Sequence, residues 1–154
     1  MNYPAGYCQR HMEQHHGHHE DRPVSIRHGR HVHPRWADTQ RFVKKTGKWK
    51  TDRADVRIVA GDGGPEVQTG GGTSMHDVSG WYLGKEFHIS AGTDYSDEIH
   101  IERDDRVKTS EATGVSGRHY QLEPRTQMTV LTFKGYLDNM ARAAVARQVA
   151  LAKG

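Results

Sequence analysis

Four histidines, His76, His88, His100 and His119, sit in or beside short apolar-alternating stretches of this 154-residue chain. An imidazole in such a place can take or give a proton near neutral pH. Three hydroxyls accompany them: Thr73 and Ser74, directly after Gly70-Gly71-Gly72, and Tyr120, next to His119. Each hydroxyl can donate one hydrogen bond and accept others, so the set suits a polar ligand. A lone histidine on a strand is more often structural than catalytic, and residue type alone selects none of the four.

Two other chemistries are on offer. Eight of the 12 histidines precede Pro34, five of them (His11, His15, His16, His18 and His19) within nine positions. Such a tract can bind metal, but its composition fixes no ligand geometry, so residues 1–22 are expected to be a disordered, solvated tail. His31 and His33 lack a carboxylate or cysteine at a recognisable metal spacing, and HVHP reads as a surface connection. No metal is expected to be functional. From Trp36 to Lys50, basic residues interleave with aromatics, a composition able to hold single-stranded nucleic acid. The commoner outcome is a short helix or loop packed over the core with its aromatics turned inward, and that is the expectation here.

The glycines do not make a known phosphate loop. Thr73 stands after Gly72 where a P-loop needs lysine. The dinucleotide pattern G-x-G-x-x-G fails at Glu66 counted from Gly61 and at Met75 counted from Gly70. There is no G-x-S-x-G elbow and no H-E-x-x-H.

Composition bounds the class. Apolar residues make up 34%, and the 17 glycines bring the chain to the lower edge of the globular range of about 45–50%. A net charge of +3 is too small a bias to declare a nucleic-acid binder. The single Cys8 rules out an internal disulfide. No apolar run approaches the roughly 20 residues of a membrane helix, and no signal-peptide h-region is visible, so a cytoplasmic protein without membrane contact is expected.

The elements that must position these groups are short. Val56–Val59 alternates like a half-buried strand and runs into glycines that tolerate close backbone approach. Pro23–Arg30, Trp81–Leu83, Phe87–Ile89, Ile99–Ile101 and His119–Leu122 read as further strands, with Arg103 to Gly117 as a polar loop. Val130, Phe133, Leu137, Met140 and Ala144 recur at helical spacing within a strong helix over about 126–150. Short strands before a long terminal helix predict an α+β domain over residues 23–154.

A series of weak motifs becomes specific in combination. Ile58-Val59-Ala60-Gly61 comes first, followed by Thr69-Gly70-Gly71-Gly72-Thr73-Ser74 and Asp77. Gly92-Thr93-Asp94, His119-Tyr120, Pro124 and Tyr136-Leu137-Asp138-Asn139 come after them. In this order, over roughly residues 56–153, the chain resembles the cytotoxic effectors of the bacterial type VI secretion system with an ADP-ribosyltransferase-like fold.

The resemblance implies two small packed β-sheets around a cleft that accepts NAD as substrate. It implies an antibacterial toxin that transfers ADP-ribose, or hydrolyses NAD, in the recipient cytoplasm. A cognate immunity protein, a type VI secretion carrier and a cytoplasmic target are its implied partners. Carried over, Thr73, Ser74 and His119 match functional positions and would be the catalytic residues, with Thr73, Ser74 and Tyr120 binding NAD. An arginine of the first strand, Arg27 or alternatively Arg30, would bind NAD. A transferase glutamate is not called for at any matched position; Glu86, Glu98, Glu102 and Glu123 are the carboxylates in reach. The alternative is a ribonuclease-type toxin, with His88 or His119 as acid and base and Lys44, Lys45, Lys48 and Lys50 holding phosphates.

Overall fold

The computed structural model of the chain describes residues 23–26 and 32–153. The expected tail, Arg27, Arg30 and His31 lie outside the described residues. Among the described residues ten strands precede one helix: β1 (Pro23–Ile26), β2 (Thr39–Val43), β3 (Lys48–Asp52), β4 (Ile58–Val59), β5 (Glu66–Val67), β6 (Thr73–His76), β7 (Phe87–Ser90), β8 (Ile99–Thr109), β9 (Ser116–Pro124), β10 (Met128–Thr129) and α1 (Val130–Lys153). This is the α+β class that the sequence predicts.

Every strand pairing is antiparallel. The main sheet has the order β7-β1-β6-β9-β8, a second sheet has the order β10-β5-β4, and among the described residues β2 pairs only with β3. Helix α1 packs on β7 and on the β5–β10 edge of the second sheet. Its buried residues are Val130, Phe133, Leu137, Met140 and Ala144, the stripe drawn by the 3–4 spacing. The last four meet Met75, Ile89, Ile99, Ile101, Tyr120 and Leu122 in one core. The helix starts at Val130 rather than near Thr126 because Met128 and Thr129 pair with β5. Thr129 then caps it, its Oγ1 accepting from the Thr132 amide at 3.2 Å.

Four local expectations are overturned. Residues 39–52 form a hairpin, not a helix or loop over the core. Gly47, at φ 67°, closes its turn with its amide donating to the Val43 carbonyl at 2.8 Å. Trp36 alone of its aromatics packs inward, against Phe133; Phe42 and Trp49 are exposed. Arg103 to Gly117 is largely strand, because β8 runs to Thr109 and β9 begins at Ser116. Its charges hide the strand, since β8 lies at the sheet edge and is bulged between Arg103 and Val107. A charged, bulged edge resists pairing with other chains. The described part of the HVHP segment, residues 32–34, is no surface connection either: Val32 is fully buried and His33 contacts Asp138 of α1 at 2.6 Å. Trp81–Leu83 is bent chain without strand pairing.

Candidate functional site: the open face of the main sheet

Successive residues of a strand point to opposite sides of its sheet, so register decides which groups meet. In the main sheet Thr73 pairs with Leu122, Ser74 with Gln121, Met75 with Tyr120 and His76 with His119. Thr73, Met75, Tyr120 and Leu122 are wholly buried and face α1. Ser74, His76, His119, Gln121 and Glu123 therefore share the other, open face. Along β8, His100 pairs with Glu123 and Glu102 with Gln121, extending that face. Across β1, Ser25 pairs with both His76 and His88. All four candidate histidines thus stand on one side of the sheet.

The four hydroxyl and imidazole candidates divide between the two faces. Ser74 and His119 lie on the open face of adjacent strands. Thr73 turns inward, its Oγ1 donating to the Val32 carbonyl at 2.5 Å. Tyr120 turns inward too, and burial pushes its phenol up to about 12. Thr73→Val removes the donor and leaves a buried carbonyl unpaired, which costs about 1–3 kcal/mol. Urea denaturation should show that loss, with Thr73→Ser losing much less.

His76 is the hub of the open face. Trp81 stacks on its ring at 3.7 Å with planes 10° apart, and His119 lies 5.2 Å away, centre to centre. The Tyr82 hydroxyl meets His76 Nδ1 at 3.0 Å. The loop that carries Trp81 and Tyr82 is tied at both ends. Glu86 accepts from the Gly80 amide at 2.9 Å and contacts His88 Nε2 at 3.1 Å. From the β8–β9 turn, Ser110 donates to the Trp81 carbonyl at 2.9 Å.

Burial, with the His119 and Lys108 charges nearby, pushes the His76 imidazole down to about 3. Burial and Lys108 also push His119 below the usual histidine range. Both rings are therefore neutral at pH 7. Neutral rings can accept a proton or share a hydrogen bond. Both folded values lie below the unfolded ones, so the unfolded chain binds more protons below pH 6.5. The contribution of these two rings to stability is present above pH 6.5 and is lost as pH falls toward the folded values. Between pH 6.5 and about 5, above most carboxylate titration, His76→Gln should flatten the fall seen in pH-dependent urea midpoints.

The glycine run forms the edge of this face by close approach. A Cβ on Gly72 would lie 1.8 Å from the Leu122 carbonyl oxygen, and one on Gly71 2.7 Å from that of Asp55. Gly70 accepts from Gln121 Nε2 at 3.1 Å. Gly70 and Gly71 also line a groove of about 770 Å³ with Asp38, Arg53, Asp55, Arg57 and Thr69. Ser74 and His119 are not in its lining.

With this geometry in place, the matches to known proteins carry a definite meaning. The model of the Tse2 ADP-ribosyltransferase toxin family matches residues 9–149. The chain belongs to that family. Its small antiparallel sheets and C-terminal helix agree with an ADP-ribosyltransferase-like fold. Toxin Tse2 of Pseudomonas aeruginosa is 34% identical over 99 residues, 63% of this chain and 60% of that protein. The chain therefore spans about 60% of the length of this curated relative. No described helix of this Tse2-family chain is long and apolar enough to cross a membrane.

Register adds groups to the Tse2-family face that spacing did not single out: Gln121, beside Ser74, and the stacked Trp81. Glu123, a carboxylate in reach on the sequence, falls on the same side. The β9 alternation that exposes His119 also exposes Gln121 and Glu123, so a firm strand register would have found both. Trp81 reaches His76 through an irregular loop, which leaves no periodic signal.

Proposed function

We propose that the protein is an NAD-dependent ADP-ribosyltransferase toxin whose reaction takes place on the open face, between Ser74 and His119. The observation that carries this is the shared side of Ser74 and His119 on neighbouring strands, in a chain of the Tse2 family. A hydroxyl, a neutral imidazole and a carboxamide, with an indole beside them, suit the ribose hydroxyls and amide of a nicotinamide dinucleotide. NAD supplies an ADP-ribosyl group whose bond to nicotinamide breaks with developing positive charge on the ribose.

Within this proposal Ser74 donates a hydrogen bond to a ribose hydroxyl, and Gln121 extends that row. His119, held neutral, accepts a proton or a hydroxyl hydrogen bond at its free nitrogen. Thr73 and Tyr120 act as positioning residues: Thr73 fixes Ser74 through Val32, and Tyr120 anchors His119 in the core. Glu123, on the His119 strand, is the open-face carboxylate we assign to oppose positive charge, with Glu102 one strand further away. Arg27 or Arg30 remains the proposed partner of the pyrophosphate.

The toxin acts in the cytoplasm of a recipient bacterium after type VI delivery on a carrier, and a small immunity protein restrains it in the producer. The test is expression in a bacterium while total NAD and adenine-labelled ADP-ribose are followed. NAD loss with label fixed on macromolecules supports transfer, and loss with only free ADP-ribose shifts the activity to hydrolysis. Toxicity with NAD intact overturns the proposal.

A further inference from the structure

We propose that the β2–β3 hairpin is a binding arm for single-stranded nucleic acid. Its residues take no part in the open face, so the proposal stands or falls independently of the NAD chemistry. The arm is fixed at its base and otherwise stands clear. Asp38 caps its foot, accepting from the Ala54 amide at 2.7 Å and pairing with Arg53 at 3.2 Å. Arg35 donates to the Arg53 carbonyl at 2.8 Å. Above that foot β2 and β3 are exposed along nearly their whole length and, among the described residues, pair only with each other.

Phe42 and Trp49 are register partners, 50% and 69% exposed, and their rings meet edge to face at 5.6 Å. Two large aromatic rings held together in water, with nothing of the described chain over them, offer a stacking platform. Lys44 and Lys45 stand at the tip. Arg41, Lys48 and Lys50 lie on the opposite side of the ribbon from the rings. Arg41 pairs with Asp52 at 2.9 Å, and none of the four lysines has an ion-pair partner among the described residues. Five cations against one carboxylate give this arm a larger positive excess than the +3 of the entire chain. Stacking rings on one side of the ribbon, with cations at its tip and on its other side, complement a flexible phosphate chain with free bases that can wrap the arm. Duplex DNA offers phosphates but hides the base faces, and an acidic peptide offers charge without rings to stack.

The test uses the full chain and a fluorescein-labelled 20-mer of uridine, read by anisotropy over a salt series. Binding should weaken with salt at a log–log slope of about −0.7 for each phosphate contacted. Trp49→Ala should weaken binding about 5- to 150-fold with little change in that slope. Trp49→Phe, which keeps a ring to stack on, should recover most of the affinity. Lys44→Gln with Lys45→Gln should flatten the slope by about 1.4. Both positions are exposed, so thermal unfolding of the variants should match the parent. No binding at low salt, unchanged affinity in Trp49→Ala, or equal affinity for a duplex or polyglutamate would each overturn the proposal.

Discussion

Replacing Ser74 or His119 by alanine should lower ADP-ribosyl transfer by about 10²–10⁴-fold while leaving the fold intact. Each side chain lies on the open face, and neither belongs to the core between the main sheet and α1. Truncation there removes no packed apolar group, so the change in stability should stay within about 0.5 kcal/mol. The double variant should be little worse than the weaker single one, since groups acting on the same reacting centre fail together. Toxicity in a bacterium, nicotinamide release in vitro and thermal unfolding, measured on the same preparations, separate loss of chemistry from loss of structure. Folded variants that still kill and still release nicotinamide would remove both residues from the reaction.

Gly72→Ala should be the most damaging alanine substitution among the described glycines. The added Cβ would lie 1.8 Å from the Leu122 oxygen, 2.7 Å from its carbonyl carbon and 3.0 Å from the Glu123 Cα. All three are backbone atoms of β9, so no side-chain rotation relieves the overlap. Relief requires β6 and β9 to part at Thr73–Leu122, near the middle of the main sheet. A loss above about 4 kcal/mol is expected, against a typical total of about 5–15 kcal/mol. Gly135→Ala is the contrasting control: it sits in α1 with nothing within 4 Å of the added methyl. That change should stabilise by about 0.5–1 kcal/mol through helix propensity. Chemical denaturation of the two variants side by side tests the close approach directly, and a Gly72→Ala protein of wild-type stability would disprove it.

What the sequence discloses follows from how local the signal is. The α1 stripe was legible to the residue because five apolar positions at helical spacing have one geometric solution. The core strands β7 and β9 were legible because their apolar residues alternate. The β2–β3 hairpin was not, because both of its faces are wet and its rings point into solvent instead of the core. The outer half of β8 failed for the same reason: Arg103 to Thr109 carries charge on both sides of an edge strand. Within the candidate site, residue types offered four histidines and three hydroxyls, and the family resemblance picked out Thr73, Ser74 and His119 with Tyr120 beside them. Which of them face outward depended on the β6–β9 register, a pairing between segments more than 40 residues apart that no local pattern encodes. The triple glycine announced close approach, but its partner strand could be named only from the fold.

The most direct test of the open face as the NAD site is a titration of the imidazole NMR signals with a non-cleavable NAD analogue at pH 7. The His119 and His76 ring resonances should move together and saturate, with methyl signals of Leu137 and Met140 beneath the sheet unchanged. Saturable binding that leaves both rings unmoved would place the dinucleotide elsewhere and contradict the assignment of Ser74 and His119.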